Sequence, residues 1–222
     1  MSAIWHASPN FGPRRDGLVA TLIVLHYTAM DSAKAALARL CDPDVEVSAH
    51  YLIGADGTIW QMVHEDMRAW HAGAGQWAGQ DDINSRSIGI ELDNRGDHPF
   101  GDPQMRALEA VLPEIMARWA IGPAAVIGHS DMAPGRKCDP GPRFDWARLA
   151  QQGLARGAGR DAPQAPDMER FCALANDAGF TAHVSDEALL DAVRLRFRPW
   201  GQGPLSGADL AALPKAYSVS RS

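Results

Sequence analysis

Three short apolar runs limit the fold of this chain more than any other feature, because each ends on or near a titratable side chain. Residues 18–28 (LVATLIVLHYT) are rich in Val, Leu and Ile, the pattern of a strand covered on both faces, and they deliver His26 near the C-terminal end. With a period of two, Leu22, Val24 and His26 share one face while Ile23, Leu25 and Tyr27 take the other. SIGIELD (87–93) repeats the motif: Ile88, Ile90 and Leu92 point one way, Gly89 and Glu91 the other. AAVIGHS (124–130) reads as a third strand, ending at His129.

The segments between them carry their own signals. DSAKAALARLC (31–41) is expected to be a helix capped by Asp31, and HYLIGADGTIWQMV (50–63) a hairpin around Ala55-Asp56-Gly57. Residues 69–86 (AWHAGAGQWAGQDDINSR) form a glycine-rich functional loop. A helix is predicted from Asp102-Pro103 to about Ala120, with Asp102 as N-cap and with Pro113 kinking or dividing it. Asp145 caps another helix through about Gln152. Residues 155–166 (ARGAGRDAPQAP) have linker composition and divide a main domain, 1–154, from a small helical module, 167–222. That module shows helical segments at 167–178 and 186–198 and a capping box from Ser206 to Asp209. Leu189, Leu190, Val193 and Phe197 share one helical face, a docking or core stripe rather than a glycan groove.

Charge and composition exclude several classes. With 46% hydrophobic and 22% charged residues in 222, the chain is neither disordered nor fibrous. A net charge of −6 without a dense Lys/Arg cluster argues against nucleic acid as a partner. The longest apolar stretch is broken by Thr21 and His26 and is shorter than the ~20 residues of a bilayer span, so no membrane span is expected. The N-terminal residues show no secretory pattern, which gives a cytoplasmic expectation, and Cys41, Cys138 and Cys172 suit reduced thiols. The sequence sets no oligomeric state.

His26 and His129 both close predicted strands, and Asp139 follows ten positions after His129 within GHSDMAPGRKCDPGP (128–142). Two imidazoles and one carboxylate make a candidate Zn²⁺ triad with a fourth position open to water. For any single strand-end histidine the ordinary reading, a hydrogen-bonded imidazole, comes first.

LHYTA (25–29), SAHYLIGADGTIWQMV (48–63), WHAG (70–73), NSRSIGIEL (84–92) and GHSDMAPGRKCDPGPRFDW (128–146) resemble, in order, the zinc-dependent N-acetylmuramoyl-L-alanine amidases of the type-2 amidase group. That resemblance implies an α/β fold with a central mixed β-sheet flanked by helices, related to peptidoglycan recognition proteins, and cleavage of the amide between muramic acid and L-alanine in peptidoglycan fragments. By position it implies zinc ligands His26, His129 and Asp139, a catalytic Glu91 and an oxyanion-stabilising Lys137. Residues 167–222, through the segment 183–217, resemble the small helical peptidoglycan-binding-like module of the envelope subgroup, but without a visible export signal 1,6-anhydromuramyl peptides are the expected substrates. A non-catalytic muropeptide-recognition protein is the alternative, disfavoured by the complete triad; a broad-specificity envelope or lytic amidase is a third reading.

His50, Trp70, His71, Asn84 and Arg86 are candidate substrate contacts, with Arg14 and Arg15 as further partners for stem carboxylates; His50 and the loop aromatics read equally as packing, and for the three arginines solvated charge is the first reading. Cys138 departs from the small polar residue expected before the ligand aspartate, and thiolate is itself a good zinc ligand. Asp139 is retained as the ligand, with Cys138 a neighbouring buried thiol.

Overall fold

A computed structural model describes residues 3–217, so Met1, Ser2 and 218–222, the end of the expected helical module, lie outside the described residues. In chain order its elements are β1 (Ile4–Trp5), β2 (Phe11–Pro13), β3 (Leu22–Tyr27), α1 (Ala33–Leu40), β4 (Tyr51–Ile53), β5 (Ile59–Gln61), β6 (Met67–Ala69), α2 (Ile83–Arg86), β7 (Ser87–Leu92), α3 (Asp102–Trp119), β8 (Val126–Gly128), α4 (His129–Met132), α5 (Trp146–Gln151), α6 (Met168–Ala178), α7 (Asp186–Phe197) and α8 (Gly207–Ala212).

The three apolar runs become the middle and one edge of a mixed sheet with strand order β1-β5-β4-β7-β3-β8. Strands β3, β7 and β8 are parallel, and β4 and β5 form the antiparallel hairpin. At its turn Gly57 has φ +87, and a Cβ there would meet the Pro103 carbonyl at 2.7 Å. A separate two-stranded sheet pairs β2 with β6. The α/β class with a mixed sheet and flanking helices therefore stands.

Local differences have identifiable causes. Ser32, not Asp31, caps α1, because its hydroxyl accepts the Ala35 amide. Gly101, not Asp102, occupies the N-cap of α3, which places Asp102 in the first turn. Helix α3 also continues through Pro113. An interior proline costs about 3 kcal/mol, but Leu108, Val111, Leu112 and Ile115 are buried, and each such side chain returns about 1.5–3 kcal/mol. His129 opens the one-turn α4 instead of ending β8, since the Asp131 carboxylate accepts the Gly128 amide at 2.8 Å and starts the turn there.

Residues 156–166 have no helix or strand. One apolar core runs from Ile23, Ile88 and Ile127 on the sheet through Met132 and Trp146 to Leu189, Leu190, Val193 and Phe197 of α7. Helices α7 and α8 are clamped by Arg194, whose Nε and Nη2 donate to the two Asp209 carboxylate oxygens at 2.9 and 2.8 Å. Among the described residues no helix is long and apolar enough to cross a membrane.

Candidate metal centre and active site

Parallel pairing brings the candidate residues together at the C-terminal ends of the strands, where open α/β sheets place their sites. His26 on β3 lies directly beside Glu91 on β7. One strand over, β8 pairs through Gly128 with Leu25, and His129 follows immediately. Asp139 returns on the loop after α4, where its carbonyl accepts the Ser130 amide at 2.9 Å.

His26 Nδ1 lies 2.9 Å from His129 Nδ1 and 2.9 Å from Asp139 Oδ2, and His129 Nδ1 lies 3.0 Å from the same carboxylate oxygen. All three residues are buried.

The outer nitrogens of the two rings settle which tautomer each adopts. His129 Nε2 stands 2.8 Å from the Ala72 carbonyl, closer than the 3.3 Å to Arg136 Nη2; a carbonyl only accepts, so this nitrogen carries the proton and, in that tautomer, Nδ1 is a bare lone pair. For His26 the logic passes through a relay. The Ser87 hydroxyl donates to the Ile83 carbonyl at 2.6 Å, so its oxygen accepts from His71 Nε2 at 3.2 Å. His71 Nδ1 is then the acceptor for His26 Nε2 at 3.0 Å, which strips the proton from His26 Nδ1. Two lone pairs and a carboxylate oxygen thus face one another, an arrangement that repels unless a cation sits among them.

The donor separations let one ion with bonds of about 2.0–2.1 Å touch all three atoms, and the N₂O set is that of a catalytic zinc site. Among the described residues this is the one such cluster of His, Cys, Asp or Glu. Cys138 is exposed, a correction to the buried thiol expected, and its Sγ meets the Tyr27 hydroxyl at 3.1 Å.

Glu91 supplies a different chemistry. Its Oε2 is buried without a hydrogen-bond partner. Burial, then the Asp139 carboxylate, raise its pKa to about 8 against the opposing pull of Lys137. Burial, reinforced by His129, lowers His26 to about 4.

Glu91, Lys137, Trp70 and His71 line a cavity of about 450 Å³ that also exposes the triad. His50, Asn84 and Arg86 lie outside that lining. Buried His50 accepts the Gly89 amide at Nδ1 and donates from Nε2 to the Met67 carbonyl. Asn84 Oδ1 accepts the His71 and Ala72 amides at 3.0 and 2.8 Å, aiming the carbonyl that fixes His129. Arg86 binds the Asp81 carbonyl. Arg14 is consumed by the carbonyls of Glu65, Asn84, Ser85 and Ser87. The signal that places His71 lies opposite it: a Cβ on Gly89 would stand 2.5–2.7 Å from the His71 ring, so only glycine lets that ring lie over β7.

Buried neutral histidines make the metal-free protein acid-labile. Burial lowers His50 to about 3 and His71 well below its ordinary value, as it lowers His26. As pH falls from 6.5 to about 4, the unfolded chain binds protons that the folded one refuses, so stability drops through that window. The urea midpoint of metal-free protein is expected to fall steadily across it; a flat profile contradicts neutral burial.

Residues 16–142, more than half of the chain, match the family described as N-acetylmuramoyl-L-alanine amidase. The N-acetylmuramoyl-L-alanine amidase AmiD of Escherichia coli is 45% identical over 157 residues, covering 64% of this chain and 55% of AmiD, so the matched chain spans about half the length of that relative. The 1,6-anhydro-N-acetylmuramyl-L-alanine amidase AmpD of E. coli is 37% identical, covering 64% of this chain and 87% of AmpD. The solved structure of E. coli AmiD with the substrate anhydro-N-acetylmuramic acid-L-Ala-D-gamma-Glu-L-Lys superposes with a TM-score of 0.76 at 34% identity, covering 94% of this chain and 90% of that one. AmpDH3 of Pseudomonas aeruginosa gives 0.78 at 31% identity, with 96% of both chains covered. With the family match over this fold, the chain belongs to the N-acetylmuramoyl-L-alanine amidase family.

Proposed function

We propose that this chain hydrolyses the amide joining N-acetylmuramic acid to the L-alanine of a stem peptide, with soluble 1,6-anhydromuramyl peptides as substrates. The carrying observation is the meeting, in one cavity, of three converging metal donors with Glu91, whose Oε2 is buried and unpartnered. The relatives' printed activities, and the anhydromuramyl peptide in the AmiD structure, support the same reading.

His26, His129 and Asp139 would hold zinc, which when bound supplies a Lewis acid and acidifies water toward neutrality. The remaining work falls to the chain's own groups. Glu91 accepts the proton that the attacking water loses as its oxygen bonds to the lactyl carbonyl carbon, then returns it to the alanine nitrogen as the C–N bond breaks. Lys137 donates to the oxyanion as charge develops, so its effect is larger in the transition state than in the bound substrate. Trp70 and His71 wall the cavity.

The test is a zinc-replete digestion of 1,6-anhydromuramyl tripeptide and of intact sacculi in parallel, read by mass spectrometry. Free tripeptide from the anhydro compound is expected. Release from sacculi alone would replace the proposed substrate with intact wall, and binding without release from either would favour the recognition-protein reading.

A further inference from the structure

The C-terminal helices reach the foundation of the candidate metal centre through one side chain. Arg196 on α7 is only 4% exposed, and its guanidinium stacks on Trp146 at 3.3 Å from the ring centroid. Nη2 donates to the Val126 carbonyl in β8 at 3.0 Å, with the Arg156 carbonyl at 3.4 Å, and Nη1 lies 3.7 Å from Asp131 Oδ2 in α4. Asp131 is 1% exposed, and the same Oδ2 accepts the Gly128 amide at 2.8 Å.

These contacts bracket His129, three residues before it and two residues after. Helix α4 has four residues, too short to hold its shape by its own hydrogen bonds. What starts it is the buried Asp131 carboxylate, and the guanidinium of Arg196 is packed beside that carboxylate. Among the described residues, the cationic side chain nearest Asp131 in the ion-pair geometry is Arg196, at 3.7 Å, and it arrives from the far side of the 155–166 segment.

We propose that the C-terminal helices are a positioning element of the metal centre, in which Arg196 holds β8 and α4, and with them His129, in the ligating arrangement. Arg196 touches neither the triad nor the cavity lining, so it acts through Asp131 and Val126. The proposal rests on reading the triad as a metal site.

The experiment compares wild-type full chain, Arg196→Met, Asp131→Asn and the double variant, by zinc titration against a chromophoric chelator and by the d–d absorption of the cobalt-loaded proteins. Arg196→Met is expected to weaken zinc binding by about tenfold or more, the scale of lost support around a metal ligand, and to shift the cobalt spectrum. In the Asp131→Asn background the same change is expected to cost much less, because the carboxylate through which Arg196 reaches α4 is gone. Wild-type affinity and spectrum in folded Arg196→Met, or additive losses in the double variant, overturn the proposal.

Hydrogen exchange on the metal-free wild type decides the matter even if Arg196→Met does not fold. Residues 128–133 are expected to open together with α7; exchange of α7 while 128–133 stay protected overturns the brace. A wild type that binds neither zinc nor cobalt overturns the metal reading instead, and the exchange result still stands by itself.

Discussion

Replacing Glu91 by Gln is expected to lower turnover of 1,6-anhydromuramyl tripeptide by about 10³-fold, within the range that a positioned proton-transfer group contributes, while bound zinc stays near one equivalent. The amide keeps the size of the carboxyl and cannot take a proton from water. Zinc analysis and steady-state rates on the same preparation check it; loss of metal in the variant would show that Glu91 serves the triad instead. The substitution also has a stability signature in metal-free protein. Because burial raises Glu91 to about 8, the folded chain holds a proton that the unfolded chain releases above the ordinary range of about 4.3, and the native state loses stability as pH rises between the two. The Gln variant feels no such loss. It should equal the wild type near pH 4 and exceed it at pH 9.

The second large effect separates two neighbours. Asp139→Ala is expected to lose stoichiometric zinc and with it all measurable turnover, since one of three converging donors disappears and two facing lone pairs remain. Cys138→Ser is expected to keep both, because the thiol is exposed, engaged with Tyr27 and outside the donor cluster. Metal analysis of the two purified variants decides between them. A metal-free Cys138→Ser protein would transfer the ligand role to the thiol.

Much of this centre was legible in the sequence because strand periodicity is a local property. Alternation alone puts His26 and Glu91 on defined faces, whereas their adjacency depends on the register of β3 against β7, which alternation does not determine. Asp139 sits on an irregular loop with no period to read; its donor chemistry and its nearness to His129 in sequence make it a candidate, and convergence with His26 is something spacing does not determine. His71 looked like a loop residue facing substrate; its partner is an absence, the missing side chain of Gly89. The short strands β1, β2 and β6 span two or three residues, below the length at which alternation carries information. Arg196 was hidden for a different reason. The apolar stripe of α7 was visible, but an arginine beside it reads as solvent-facing, and nothing local announces that Trp146 and Asp131 will enclose it.

The relay from Ser87 through His71 to His26 has an energetic meaning beyond orientation. Its polarity is set at the Ile83 carbonyl, so His26 presents a bare nitrogen before any ion arrives. A zinc ion held as proposed would then displace no proton from His26. Glu91 differs, since it holds a proton near neutral pH until a divalent charge nearby draws the group back toward the carboxylate form. Under the proposed mechanism the proton shed on loading the site would come from Glu91 rather than from His26, so that filling the metal position and arming the base would be a single event.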